Sequence, residues 1–497
     1  MTHAPSEAER LSERFLGLAP GARREFWRRL RERGLDSSLL PIPAGAAGAE
    51  TTLSYAEERI WFLSRLEPDS PAYHMVAALR IRGELDTSRV SGALRALAVR
   101  HPALRTRYIE RDGVAHRHIS TEPEIEVITL HVPEPARRSE AALRALTQPA
   151  ITKPFDLARD PLLRVVLARS GERECILILV IHHLVADGAS LDILMREFAS
   201  YYGGAISRHL DAAGCDPVRL PALPVTYADY AVFQRALFEA GELEELIASW
   251  REGFCVEPPA LQLPADHPRS AESYGRGGQV QRTLRAKTWD RLRALARREG
   301  VTAFMLLIGA FAALLSRLSG EQRIVIGVPS GSRSRSEIEG VVGLFVNTLL
   351  VDLTLDDDDD FHRLFQRTKR AVLDAQSHRA LPFEKIVETI APERRLGQSP
   401  LFQAMFNYQS RTMHGLGLDL EMLRWGNGAA QLDLSLDTED VDGTLFASFT
   451  YDASRFAAPR VELWADAWVA LLESACRESG CSSVRACLPG SQERQLR

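Results

Sequence analysis

Long apolar runs, paired cysteines and an excess of charge of either sign are all scarce in this chain of 497 residues, and each scarcity excludes something. The longest apolar helical stretch, residues 301–315, falls short of the roughly 20 residues that cross a bilayer, and Ser316 and Arg317 follow at once. It reads as a buried core helix, and no membrane partner is expected. The N-terminus, Met1-Thr2-His3-Ala4-Pro5-Ser6-Glu7, is polar and has none of the apolar core of a secretion signal. Six cysteines, at 175, 215, 255, 476, 481 and 487, include no Cys-x-x-Cys pair and no regular framework. They fit a reducing cytosol, so the expected location is cytoplasmic. No second cluster of His, Cys or carboxylates stands at ligand spacing, and no metal is expected. The 61 basic and 66 acidic residues leave a net charge of -5, without the global basic footprint of a nucleic-acid binder. Recognition of any partner must then be local.

What is present is one dense stretch of chemistry. His182-His183-Leu184-Val185-Ala186-Asp187-Gly188 stands where a very apolar strand, residues 175–181, runs out. Seven consecutive apolar residues suit a strand buried on both faces. Such a strand delivers its last residues to a buried edge or cleft, where an imidazole with a near-neutral pKa can take or give a proton. Asp187 brings a charge that needs a partner if it is buried. Gly188 permits a sharp turn with positive φ.

Around this stretch the chain alternates helical and strand-like segments. Residues 6–35 read as two short amphipathic helices separated by Pro20, and residues 41–48 as a Pro, Ala and Gly linker. From Leu53 the pattern predicts helices over 56–66, 87–100 and 139–147, strands over 75–81, 104–110, 162–168 and 175–181, and a helix starting near Ser190. A loop-like stretch rich in Pro, Ala and Gly runs to Leu223. Beyond it, helices are predicted over 227–239, 242–252, 286–299, 302–318, 361–377 and 459–476, with strands over 279–284, 324–328, 401–409, 432–438 and 444–451. Two α/β halves of similar size are expected, and 45% hydrophobic content suffices for substantial cores. The acidic run 356–360 precedes a helix whose N-terminus it favours through the dipole.

The pattern His-His-x-x-x-Asp-Gly after a buried strand resembles the active-site motif of condensation domains of nonribosomal peptide synthetases, a motif that related acyltransferases share. Further segments resemble that family in the right order. Ser54-Tyr55-Ala56-Glu57-Glu58-Arg59-Ile60-Trp61-Phe62-Leu63 is similar to its opening segment, with glutamate where glutamine is frequent. Arg100-His101-Pro102-Ala103-Leu104-Arg105-Thr106, Pro154-Phe155-Asp156-Leu157 and Tyr227-Ala228-Asp229-Tyr230-Ala231 follow. Gly343-Leu344-Phe345-Val346-Asn347-Thr348, Leu381-Pro382-Phe383-Glu384 and Ser399-Pro400-Leu401-Phe402 complete the series, so that the resemblance covers about residues 50–485. Trp61, Phe62, Phe345 and Phe402 are expected to pack, and Arg105 to join an ion pair.

The resemblance implies an α/β fold of two chloramphenicol-acetyltransferase-like lobes in a V-shaped pseudo-dimer, with the active site at their junction. Residues 51–223 would be the lobe carrying the heptad and 224–485 the second lobe. Residues 1–50 would be a helical linker or docking segment. Residues 488–496 resemble a linker into an adenylation domain, 486–497 being its start, as in a chain cut from a longer assembly line.

No intrinsic cofactor is implied. Substrates would arrive on 4'-phosphopantetheine arms of a donor acyl or peptidyl carrier protein and an acceptor peptidyl carrier protein. The implied reaction is amide formation between a donor thioester and the α-amine of an acceptor aminoacyl thioester. A stand-alone acyltransferase with a free acceptor and a non-catalytic recruitment module are the alternatives. His183 would position the amine, accept its proton or stabilise the tetrahedral intermediate, and Gly188 would offer an N–H to the oxyanion. His182 and Asp187 would hold the architecture, with Arg333 pairing with Asp187. Asn347 and Ser190 are assigned to the substrate tunnel or the lobe crossover. The opening segment suits an L-configured peptidyl donor or a polyketide acyl donor.

Overall fold

A computed structural model describes residues 6–46, 50–137, 139–171, 173–210, 220–253, 260–269, 275–331, 333–356, 358–390, 399, 401–411 and 419–477. The expected linker at 486–497, Pro400 and the cysteines at 215, 255, 481 and 487 lie outside them. In chain order the elements are α1 Glu7–Leu16, α2 Pro20–Glu32, β1 Glu50–Thr52, α3 Tyr55–Leu66, β2 His74–Arg82, α4 Thr87–Arg100, β3 Thr106–Arg111, β4 Val114–Ile119, β5 Glu126–His131, α5 Glu134–Arg137, α6 Glu140–Thr152, β6 Leu163–Arg169, β7 Glu174–His182 and α7 Gly188–Leu210. They continue with α8 Tyr227–Glu239, α9 Glu244–Gly253, β8 Gly277–Leu284, α10 Ala286–Glu299, α11 Ala303–Ser319, β9 Arg323–Gly331, β10 Val346–Thr354, α12 Phe361–Ser377, α13 Phe383–Ile390, β11 Ala404–Arg411, β12 Asp419–Leu423, β13 Leu434–Val441, β14 Thr444–Asp452 and α14 Ala458–Ala475.

The chain forms two compact units. The first draws on Met1–Glu245, Gly331–Val346 and Gly415–Asn427, and the second on Leu246–Ser330, Asn347–His414 and Gly428–Arg497. The first unit therefore takes in α8, the segment before β10 and strand β12, all of which follow the expected boundary at 223.

The first unit is built on a five-stranded sheet in the order β12-β2-β7-β6-β5, parallel only between β5 and β6. β7 is the central strand, and every residue from Cys175 to His182 is buried. Each such Val, Leu or Ile contributes about 1.5–3 kcal/mol by leaving water, so the apolar run specifies a strand with neighbours on both edges. A smaller sheet, β1-β4-β3, adjoins. β4 and β5 escape the periodicity reading because they are short and rich in polar residues (Val-Ala-His-Arg-His-Ile and Glu-Val-Ile-Thr-Leu-His). The strand expected from residue 104 starts two residues later, after a 3-10 turn that Pro102 opens.

Residues 6–46, expected as a connector or docking element, contribute to this unit's core. Phe15, Trp27, Leu30, Leu40 and Ile42 are buried in it. Arg23 pairs with Glu239 on α8, and Arg335 donates to the Leu40 carbonyl at 2.6 Å.

The second unit carries a six-stranded sheet in the order β10-β9-β11-β13-β14-β8, with β11 parallel to both β9 and β13. α11, the longest apolar stretch, is a core helix, with Leu306, Phe311, Leu314 and Leu315 fully buried. No single helix among the described residues is long and apolar enough to cross a membrane. Asp360 of the acidic run caps α12, accepting from Arg363 N at 2.8 Å.

Candidate active site

β7 sets His182 and His183 at the end of the buried strand, and β2 runs antiparallel beside it with His74 opposite His182. His182 N–H donates to Leu162 O at 2.9 Å, and His183 N–H to Tyr73 O at 2.8 Å. The two backbone bonds hold the strand end from both edges. The chain then turns tightly, Leu184 N–H donating to His182 Nδ1 at 3.2 Å and Val185 N–H to His182 O at 3.1 Å.

That bond assigns the His182 tautomer: an Nδ1 that accepts leaves the proton on Nε2. The ring is buried among Tyr73, His74 and Phe155, with centroids 6.0–6.4 Å away. Burial pushes its pKa well below the ordinary histidine value. His74 Nδ1–H donates to Ile151 O at 2.9 Å, and burial lowers its pKa to about 4. Both rings are therefore neutral structural groups at neutral pH. They help line a cavity of about 530 Å³ together with Trp61, Tyr108 and Phe155. A larger cavity of about 720 Å³, lined by Arg95, Arg100 and Tyr201, touches neither histidine of the pair.

His183 differs. It is half-buried, its Nδ1 is covered, and that atom has no hydrogen-bond partner of ordinary geometry. Burial lowers its pKa; the nearby carbonyls of its own loop and Asp187 oppose the shift, and the Arg59 guanidinium on α3 adds to it. The ring is thus uncharged at neutral pH and able to accept a proton.

Asp187 is 2% exposed and fully engaged. Arg333 meets it as a fork, Nη1 to Oδ2 at 2.8 Å and Nη2 to Oδ1 at 2.9 Å. Ser190 N–H donates to Oδ1 at 2.8 Å, which makes Asp187 the N-cap of α7, and Phe345 N–H donates to Oδ2 at 3.1 Å. Arg333 lies over the Phe345 ring, 4.4 Å from its centroid. Its neighbour Arg335 turns elsewhere, to Leu40 O and Glu337. Asp187 and Arg333, 146 residues apart in sequence, both belong to the first unit.

Ser190 is fully buried; its Oγ accepts from Gly343 N at 3.1 Å and Arg333 Nη2 at 2.8 Å. Asn347, in the second unit, donates to the carbonyls of Arg379 at 3.1 Å and Leu381 at 2.7 Å and accepts from Phe383 N–H at 3.0 Å. It fastens the start of β10 to the turn before α13. Gly188 is the first residue of α7 and is not among the glycines with positive φ, so the expected left-handed turn is absent. The Asp187 cap starts the helix directly, without a reversal.

Sequence reasoning missed a second set of buried groups behind the histidine loop. Glu57 on α3 pairs with Arg117 on β4, and Tyr108 on β3 contacts both Glu57 and the Leu184 carbonyl. Tyr227 OH joins Ser54 Oγ to Leu344 O, each at 2.8 Å. Gly343 is required there, since a Cβ would stand 2.1 Å from the Tyr227 ring. The opening segment and the Tyr-x-Asp-Tyr segment signalled Glu57 and Tyr227, whereas nothing in spacing singles out Arg117. Two other expectations differ: Phe62 is 48% exposed, and Arg105 donates to the carbonyls of Ala98 and Ser120, not to a carboxylate. Ala98 lies in the last turn of α4 just before it, and the β3–β4 pairing sets Ser120 opposite it, Ser120 N–H donating to Arg105 O at 2.9 Å.

Known proteins resemble this chain over most of its length. Residues 48–495 match the family model described as Condensation domain. One component of the linear gramicidin synthase of Brevibacillus parabrevis is 36% identical over 441 residues, which are 87% of this chain and 6% of that component. The chain thus spans a small fraction of that relative's length. The X-domain from teicoplanin biosynthesis superposes with a TM-score of 0.77 at 26% identity, covering 90% of this chain and 99% of the X-domain. The condensation domain of the monacolin K polyketide synthase MokA has the same fold, with a TM-score of 0.74 at 21% identity, covering 86% of this chain and 98% of that domain.

Proposed function

Since this chain belongs to the condensation-domain family of the nonribosomal peptide synthetases, we propose that it forms an amide between a donor acyl or peptidyl thioester and the α-amine of an acceptor aminoacyl thioester. Both substrates would be carried on the 4'-phosphopantetheine arms of a donor and an acceptor carrier protein, with an adenylation domain alongside, in the cytoplasm. The amine nitrogen attacks the donor carbonyl carbon, the C–S bond breaks, and the donor arm leaves as a thiol.

The observation that carries this reading is the division of labour within the heptad. Asp187 is saturated by Arg333, Ser190 and Phe345, and His182 is neutral and spent on Leu184. Of these three side chains only His183 is partly exposed. An α-amine has an ordinary pKa near 8, so a neutral imidazole is base enough to orient it and take its proton. The N-terminus of α7 at Gly188 offers an N–H to the oxyanion.

The test mixes the protein with separately loaded donor and acceptor carriers and follows transfer by intact-mass spectrometry. His183→Ala is expected to abolish transfer while its circular dichroism and unfolding midpoint stay near those of the parent. Near-normal transfer by folded His183→Ala would remove the base assignment. The likeness to an X-domain, a type of domain also solved in complex with OxyB, supports a second reading as a recruitment module, and absence of transfer by the parent protein selects it. Transfer only to a free amine or alcohol selects a stand-alone acyltransferase.

A further inference from the structure

Beneath the histidine loop one phenol proton faces two acceptors. Tyr108 OH stands 2.7 Å from Glu57 Oε1 and 3.0 Å from the carbonyl of Leu184, the residue next to His183. Burial holds the phenol's pKa far above neutrality, so it keeps its single proton. Glu57 is 1% exposed and Arg117 2%, and Arg117 donates to both carboxylate oxygens. Oε2 also takes Ser54 N–H at 2.8 Å, closing the capping box of α3. Glu57 is thereby pinned, and the cavity enclosed by Glu57, Tyr108, Arg117, Leu184 and Tyr227 holds about 10 Å³, about the minimum for one water.

We propose that Tyr108, held by the Glu57 and Arg117 pair, is a positioning residue for His183: its hydroxyl fixes the Leu184 peptide and with it the orientation of the imidazole. The inference rests on the proposed function and adds three residues to it, none within the heptad. The carboxylate and the Leu184 carbonyl compete for the phenol proton, because neither has a proton of its own to offer.

The experiment compares folded Tyr108→Phe and Tyr202→Phe in the carrier transfer assay, below the unfolding temperature of each. Tyr108→Phe is expected to lower kcat roughly tenfold or more with KM for both carriers unchanged. Tyr202→Phe, which removes a buried hydroxyl on α7 that accepts from Asp86 N–H at 3.2 Å and lies outside this cluster, keeps kcat within about threefold of the parent. In histidine-labelled protein, the His183 ring resonances shift in Tyr108→Phe while those of His267 and His362 stay in place. An unchanged kcat and an unmoved His183 signal in Tyr108→Phe overturn the proposal, as does an equal loss of kcat in both variants. If the parent protein transfers nothing, the proposed function fails, and the His183 resonance still decides whether Tyr108 positions the ring.

Discussion

At the scale of single residues, the aspartate of the heptad acts as a structural fastener. Its carboxylate accepts a forked guanidinium and two backbone N–H groups, and it is the N-cap of α7. Removing it leaves a largely buried Arg333 without its counter-charge, and breaking such a pair from one side costs about 3–5 kcal/mol. Asp187→Ala is therefore expected to lower stability by that amount in urea unfolding. Asp187→Leu combined with Arg333→Met is expected to recover much of it, because no charge is then stranded. A loss below about 1 kcal/mol for Asp187→Ala would show instead that the loop relaxes to hydrate Arg333. Two arginines two positions apart illustrate how limited a residue's local context is: Arg333 reaches the carboxylate, and Arg335 reaches backbone 295 residues away.

At the scale of elements, the pairing of β2 with β7 sets His74 against His182. Burial lowers the pKa of His74 to about 4, against about 6.5 in an unfolded chain. Below 6.5 the unfolded chain binds a proton that the folded chain refuses. The stability this neutral ring preserves is complete above pH 6.5 and declines as pH falls towards 4, by up to about 3 kcal/mol. His182, shifted the same way, adds to the trend. The unfolding midpoint is expected to fall between pH 6.5 and 4, and His74→Gln to flatten that fall; an equally steep profile in the variant would place its origin elsewhere. The strand itself was legible, since seven apolar residues in a row permit little else. Its neighbours β4 and β5 were not, because short strands rich in polar residues lack the period that marks an element.

At the scale of the whole molecule, the first unit is assembled from three separate stretches of chain. The N-terminal helices belong to its core through Trp27 and Phe15, 3% and 0% exposed. Trp27→Ala is expected to cost about 3–5 kcal/mol, seen in calorimetry as a lowered transition for the first unit. A change below about 1 kcal/mol would make those helices an appendage after all. The α/β class, most helices and the heptad could be read from periodicity and from the order of motifs, because these are local properties of neighbouring residues. The partner of Asp187 was reachable only through family resemblance. The Glu57, Arg117 and Tyr108 cluster and the membership of residues 331–346 and 415–427 in the first unit were decided by folding alone. Their contacts span 51 to 356 residues of sequence, and at that separation neither periodicity nor spacing carries information: only packing brings such groups together.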